Sequence, residues 1–543
     1  MFPQDQIKAD QIKLLALSFI FTLLFYLTTY VETGGDAMAY YGFAELIAGV
    51  KVSSFDAATY YQTRGIGYPA LLWILGAVKF HTFIPVLILQ SLMACLIPWL
   101  VYRTVAEFNR ESAFFSGLIA IFSCLPYIFM KSILAKQGYL FFQFAAIYFC
   151  ARYLKNGSPR LIYPAAIFLF LMILFSPQAL LFSLSLLTVL FFLNPRRYVH
   201  YIGAGLLLTA FYLGSNEVKR QVMARADVPE SGQNISGIYL FHNVYNYSVY
   251  GPRFLGAGKH VITKDVGPYT REMIEIIGNY LHAERDDLPG LVDHFRLKQS
   301  DREFWVDRFA GRPEELTREV FESPSLYYLY MILRILDETQ GPVTSNKILL
   351  RSTLEILQRY PQLGIRLYLG HLKAFTLGPY RYFGYNKLPS HRLKTHDNML
   401  YTLSSADDVE MNIRLAPDFK KEVTGLPIEY FGWTGLTNWC KYANKIFIEV
   451  WNTAYGYLQP LIFLSMLIGT LVLIAVKSPG WQLALLISAV YAYNAIVVCI
   501  FAHPSFNHHY MVDILELVVT VMFAGYLIRY FRGKIQTSRD REG

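Results

Sequence analysis

The chain has 543 residues, of which 54% are hydrophobic and only 16% charged. A soluble protein of this length covers its surface with far more charge, and the mean hydropathy of +0.31 points to a membrane protein. The formal charge of +9 does not signal nucleic acid, because Lys and Arg gather at the ends of apolar runs and in one middle segment, without a basic stripe interleaved with aromatics.

From the N-terminus, Lys8 and Lys13 precede the apolar run Leu14 to Tyr30, which reads as a retained signal anchor. Further candidate spans follow at 83–103, 112–130, 138–153, 161–175, 177–193, 198–214, 447–476, 480–502 and 510–531, with the first at 12–30. Gly67 to Phe80 (GYPALLWILGAVKF) is apolar but short and contains Pro69. If it crossed, the loops bearing Arg103/Arg110, Arg152/Lys155/Arg160 and Arg196/Arg197 would all face outside. The positive-inside bias therefore predicts that it lies in the interface or re-enters. About ten spans result, with both termini cytoplasmic and a fold that is all-α in the membrane. The 40 Tyr and 40 Phe suit the aromatic belts at the two headgroup layers.

Three regions are expected: an N-terminal membrane region, 1–214, whose first outward loop is 31–82; an extracytoplasmic insertion, 215–446; and C-terminal spans with a basic tail, 447–543. Within the insertion, Arg271 to Leu281 and Asn346 to Tyr360 have helical periodicity, and Pro361 to Tyr385 reads as an interfacial helix. Gly237 to Tyr250 alternates like a strand, so the insertion is expected to be mixed α+β. Cys95, Cys124, Cys150 and Cys499 fall in apolar runs and Cys440 has no evident partner, so no disulfide framework is implied.

The first outward loop carries the most chemical information. Gly34-Gly35 break the first span, and Asp36 caps a new helix in which Asp36, Tyr40, Phe43 and Ile47 share one face. The helix is expected to lie flat at the membrane surface. Asp36 is then either an ordinary cap or a partly desolvated, more basic carboxylate. Arg64 stands just before Gly67-Tyr68-Pro69, a fixed cation near the headgroups.

The order of acid, short amphipathic helix, basic residue and Gly-Tyr-Pro resembles the GT-C membrane glycosyltransferases, particularly the protein O-mannosyltransferase and aminoarabinose-transferase branch. The resemblance covers roughly residues 12–200 and the last spans. It implies inverting transfer of a sugar from a polyprenyl-phosphate donor to a glycan, lipid or protein acceptor. The site would face the outside, in keeping with a bacterial inner membrane. It implies Asp36 as general base and Arg64 as a ligand of the departing phosphate, with Tyr40, Tyr68 and Tyr510 as substrate contacts. Where many relatives carry a second acid in the loop Lys131 to Tyr139, this chain has Lys136-Gln137. A metal shared by two loop acids is therefore not expected, nor any cofactor. Lys136 either faces the donor phosphate or snorkels at a span end. His508-His509-Tyr510 takes the place of a basic-aromatic pair at the last span, giving His508 and His509 as further phosphate contacts. His503, His508 and His509 have no acid between them, which disfavours reading them as a metal site.

Two alternatives belong to other classes. A lipid-linked glycan flippase or transporter would carry charge at mid-span depth, and the spans read as nearly free of it. An O-antigen polymerase or ligase would use loop residues such as Arg366, His371, Arg381, His391 and Arg392.

Overall fold

The computed structural model describes residues 4–28, 36–50, 64–80, 82–177, 179–225, 237–238, 240–241, 244–245, 266–283, 313–322, 326–376, 439, 457–501 and 506–542. Among these residues the secondary structure is helical, with no strand. The chain forms two compact units: Met1–Val228, Lys387–Asn494 and Phe506–Gly543 make one, and Pro229–Asn386 with Ala495–Ser505 the other.

The first unit is built from α1 (Gln4–Thr28), α2 (Asp36–Ile47), α3 (Gly67–Ile74), α4 (Ala77–Phe80), α5 (Ile84–Ala106), α6 (Arg110–Phe122), α7 (Leu125–Ile128), α8 (Lys136–Asn156), α9 (Ile162–Phe175), α10 (Ala179–Leu193) and α11 (Tyr198–Arg225). To these it adds α17 (Tyr457–Ala475) and α19 (Phe506–Glu542), and α18 (Trp481–Phe501) as far as Asn494. Asp5–Leu27, Ile84–Ala106, Tyr457–Ala475 and Val512–Gln536 are long and apolar enough to cross a bilayer. Pro159–Phe175, Ala179–Leu193 and Trp481–Val497 are shorter apolar helices. These helices mark a membrane protein.

Contacts fix the direction of the first helices. A Cβ added to Gly117 of α6 would meet Leu14 of α1 and Tyr102 of α5. Ser18 Oγ donates to the Cys95 carbonyl at 2.8 Å, and Lys131 Nζ donates to the Tyr26 carbonyl at 2.9 Å. As α1 ascends, its partners on α5 descend, so α1 and α5 are antiparallel. The Gly67–Phe80 stretch between them therefore makes no net crossing. It is broken into α3 and α4 at Gly76, which takes a positive φ of 79°, and the eight residues of α3 extend about 12 Å, far short of a roughly 30 Å hydrocarbon core. Helices α5–α6, α5–α8, α8–α9 and α9–α11 pack side by side. Buried hydroxyls in the bundle bond back to their own helix, as Ser91 to Leu87, Ser116 to Ser112 and Ser183 to Ala179, which satisfies polar groups where water is absent. The end of the bundle holding Tyr26, Gln90 and Lys131 is the first-loop end, and the end holding Arg103, Glu107 and Glu111 is the basic-turn end.

The second unit contains α12 (Pro268–Ala283), α13 (Pro313–Glu322), α14 (Leu326–Gln340), α15 (Pro342–Arg359) and α16 (Pro361–Thr376). Met273, Ile277 and Leu281 line one face of α12 and bury against Val320, Ile332, Ile335 and Leu349. Glu355 of α15 accepts from the Thr270 amide and hydroxyl, both at 2.8 Å, so a carboxylate answers the exposed amides at the α12 N-terminus. The helices expected at 271–281 and 346–360 are present, and 361–376 of the expected interfacial segment is helical; residues 377–385 lie outside the described residues.

The strand expected over 237–250 is corrected at its described residues. Gly237, Ile238, Leu240, Phe241, Val244 and Tyr245 are helical. Phe241, Val244 and Tyr245 fall at i, i+3 and i+4, and all three enter the core. The same aromatics satisfy a two-residue alternation, and the helix wins because it buries them together.

Candidate functional site

The first-loop end assembles the candidate site within the first unit. Asp36 opens α2; its side chain lies outside the described residues. The face predicted for this helix is present, since Tyr40 and Phe43 are buried and Ile47 partly so. Tyr41, Ala44 and Leu46 are buried as well. Beyond that face, α2 is covered by protein on several sides. Phe43 and Leu46 pack on Met223 and Val222 of α11, Tyr41 meets Phe83 edge-on, and Tyr40 meets Tyr68 edge-on at 5.1 Å.

That covering depends on α11. The apolar run ends near residue 214, but the helix continues to Arg225, carrying Lys219, Val222 and Met223 beyond it. Lys219 is only 7% exposed, and its ammonium donates to the Arg64 carbonyl at 2.8 Å. Arg64 in turn lies over the Tyr40 ring, 5.6 Å from its centre. Burial, and next the Arg64 charge, push the Lys219 pKa down to about 7. A lysine and an arginine brought together in a dry setting concentrate positive potential, which favours an anion nearby.

Two glycines allow this approach. A Cβ on Gly65 would collide with the Leu174 carbonyl oxygen, and one on Gly67 would lie 2.7 Å from the Leu174 Cβ. Only glycine lets the Arg64–Tyr68 segment seat against the end of α9. Tyr68 is fully buried, its hydroxyl donating to Gln90 Oε1 at 2.7 Å. The Gln90 amide donates to the carbonyls of Met130 and Ser132 at 3.0 and 2.9 Å. This chain of bonds ties the Arg64 segment to the second loop. There Lys131 is 4% exposed and its pKa is pushed down to about 7 by burial, while its ammonium sits 4.9 Å over the Tyr26 ring. Lys136 begins α8 with its ammonium 4.6 Å over the Phe129 ring.

Of the residues proposed from sequence, Arg64, Tyr40 and Tyr68 meet directly, and Lys136 belongs to the loop joined to them through Gln90. His508, His509 and Tyr510 lie in the first turns of α19, and their side chains are outside the described residues, as are Arg381, His391, Arg392 and His503. Arg366 is exposed on α16. His371 is buried, its Nδ1 3.1 Å from the Cys499 carbonyl within the second unit.

Four features escaped the sequence reading. Lys219 was hidden by ending the span with the apolar run, although Ser215, Lys219 and Val222 continue the helical period. Lys131 entered the sequence reading only as the first residue of the second outward loop. Glu45 of α2 is half-buried, its pKa raised by burial; burial, and next the Glu45 charge, push Tyr41 up to about 12. Finally, Asp513 and Glu516 on α19 are 1% and 0% exposed, so the last span does carry buried acids, one to two turns beyond His509. Comparison with protein-family models, with curated proteins and with solved structures gives no match.

Proposed function

We propose that this protein is a multi-pass membrane glycosyltransferase of GT-C type, using a polyprenyl-phosphate sugar donor and an acceptor hydroxyl on a glycan, lipid or protein. The proposed topology has about ten spans, both termini cytoplasmic, and the first-loop end outside. The acceptor oxygen forms a bond to the anomeric carbon as the bond from that carbon to the phosphate oxygen breaks. Asp36 takes the hydroxyl proton, and the bonding electrons leave on the polyprenyl phosphate. Arg64 and Lys219 hold the departing phosphate, with Lys131 and Lys136 on the adjoining loop adding positive potential.

The observation that carries the reading is the meeting of Lys219, Arg64 and Tyr40 beside the helix that Asp36 opens. The test is sugar release from a panel of polyprenyl-phosphate sugars by purified wild type and Asp36→Asn. Turnover of one donor by the wild type, and none by the folded variant, supports the proposal. Consumption of every donor unchanged in Asp36→Asn, or of none by the wild type, rejects it.

Asp513 and Glu516 favour a second reading, a lipid-linked glycan flippase, because buried acids in a span commonly mark translocation paths. Sealed proteoliposomes separate the two. Movement of lipid-linked glycan across the bilayer that is lost in Asp513→Asn, without sugar release, would put the flippase first.

A further inference from the structure

At the basic-turn end, far from α2, the first turns of α1, the last turn of α5 and the start of α6 enclose an open groove of about 530 Å³. Its wall carries both signs of charge, with Asp10, Glu107 and Glu111 set among Arg103 and Arg110. Two of the acids are answered from elsewhere in the same unit: Arg152 approaches Glu107 at 3.6 Å and Arg529 approaches Glu111 at 3.7 Å. Asp10, Arg103 and Arg110 line the same groove beside Tyr102. The Arg103 guanidinium is held in place, 5.8 and 5.9 Å from the Trp99 and Tyr148 ring centres, and donates to the Tyr148 hydroxyl at 3.2 Å.

Depth and surroundings identify the occupant. The groove lies at the ends of two helices long and apolar enough to span, α1 and α5, where headgroups meet acyl chains. On its rim Phe115 is 63% exposed, and Phe122, two turns further along α6, continues an exposed apolar track. A purely anionic ligand would have to settle beside Asp10. A zwitterion with a phosphate and a primary ammonium matches both signs at once, and the ammonium supplies three N–H donors that a choline headgroup lacks.

We propose that this groove binds the headgroup of an amino-phospholipid of the phosphatidylethanolamine class, its phosphate on Arg103 and Arg110 and its ammonium toward Asp10. The acyl chains run along the exposed face of α6 that carries Phe115 and Phe122. The site is separate from the proposed catalytic one and does not depend on it.

The test is native mass spectrometry of the detergent-purified full chain, titrated separately with phosphatidylethanolamine, phosphatidylglycerol, phosphatidylcholine and soluble phosphoethanolamine. Phosphatidylethanolamine should be retained best. Asp10→Asn and Arg110→Gln, both at accessible positions, should each weaken its retention about tenfold, the usual effect of losing one charge-assisted hydrogen bond. Equal retention of phosphatidylglycerol, or wild-type retention by both variants, overturns the proposal. Soluble phosphoethanolamine binding as tightly as the lipid would refute the membrane as the source. Unfolding temperatures of the two variants within a few degrees of wild type ensure that lost binding is not lost folding.

Discussion

Lys219→Met should make the protein more stable and less active, and the gain should depend on pH. In the folded chain Lys219 falls from its ordinary 10.5 to about 7, chiefly through burial. Holding it charged in that setting costs up to roughly 5 kcal/mol, at about 1.4 kcal/mol for each tenfold change in proton affinity. Methionine fills similar space without the charge, and loses the bond to the Arg64 carbonyl, worth about 1 kcal/mol. A net gain of about 2–4 kcal/mol at pH 6 follows once relaxation and water access are allowed for. The folded-state value lies below the unfolded one, so between about 7 and 10.5 the unfolded chain holds a proton that the folded chain has released. Wild-type stability therefore rises with pH across that window, and the advantage of the variant shrinks toward pH 10. Thermal unfolding in detergent at pH 6 and pH 9, followed by tryptophan fluorescence, measures both quantities. A variant less stable than wild type at pH 6, or a difference that does not change with pH, would refute the desolvation argument. Loss of donor turnover in the stabilised variant would mark the cost as one borne for function.

The remaining predictions concern the same end of the bundle. Gly65→Ala should destabilise by about 1–3 kcal/mol, because the new methyl overlaps the Leu174 carbonyl; thermal unfolding and donor turnover should fall together, and a variant that unfolds like the wild type would contradict the close approach. Gln90→Leu should cost about 2–4 kcal/mol, since it leaves the Tyr68 hydroxyl and the Met130 and Ser132 carbonyls without their present partner. Its denaturation in detergent reports that directly. If Lys219 binds phosphate as the ammonium, kcat/KM for the donor should decline above about pH 7 as the free enzyme loses that proton. The decline should be shallower in Lys219→Met, and a profile unchanged by the substitution would remove Lys219 from the phosphate site.

Much of the bundle was legible because hydropathy and helix punctuation act locally. The short Gly67–Phe80 stretch was expected not to cross on charge balance alone, and the structure divides it at Gly76. The predicted face of α2 was also legible, but the cover on its other sides was not: no period within residues 36–47 discloses that Phe83 and the far end of α11 close over it. Lys219 was missed for a related reason. An apolar window ends where lipid ends, whereas a helix ends where its hydrogen bonds do, and here the two differ by more than two turns. Asp513 and Glu516 were passed over because a hydropathy average absorbs two acids among many aliphatic neighbours. The Gly237–Tyr250 misreading came from a segment so rich in aromatics that both periods fit it.

The reach of α11 makes its register a constraint of its own. Near its start Tyr201 shares a hydrogen bond with Tyr153 of α8, and beyond the apolar run Lys219 is fixed on Arg64. The interval amounts to roughly five turns, about 27 Å, so both anchors sit on the same side of the rod. Removing one residue anywhere between them would rotate Lys219 by about 100° and turn it away from Arg64. Side chains along the exposed flank of this helix are free to vary in kind, but their number is not free. Drift in sequence should therefore be tolerated there while single-residue insertions and deletions are purged.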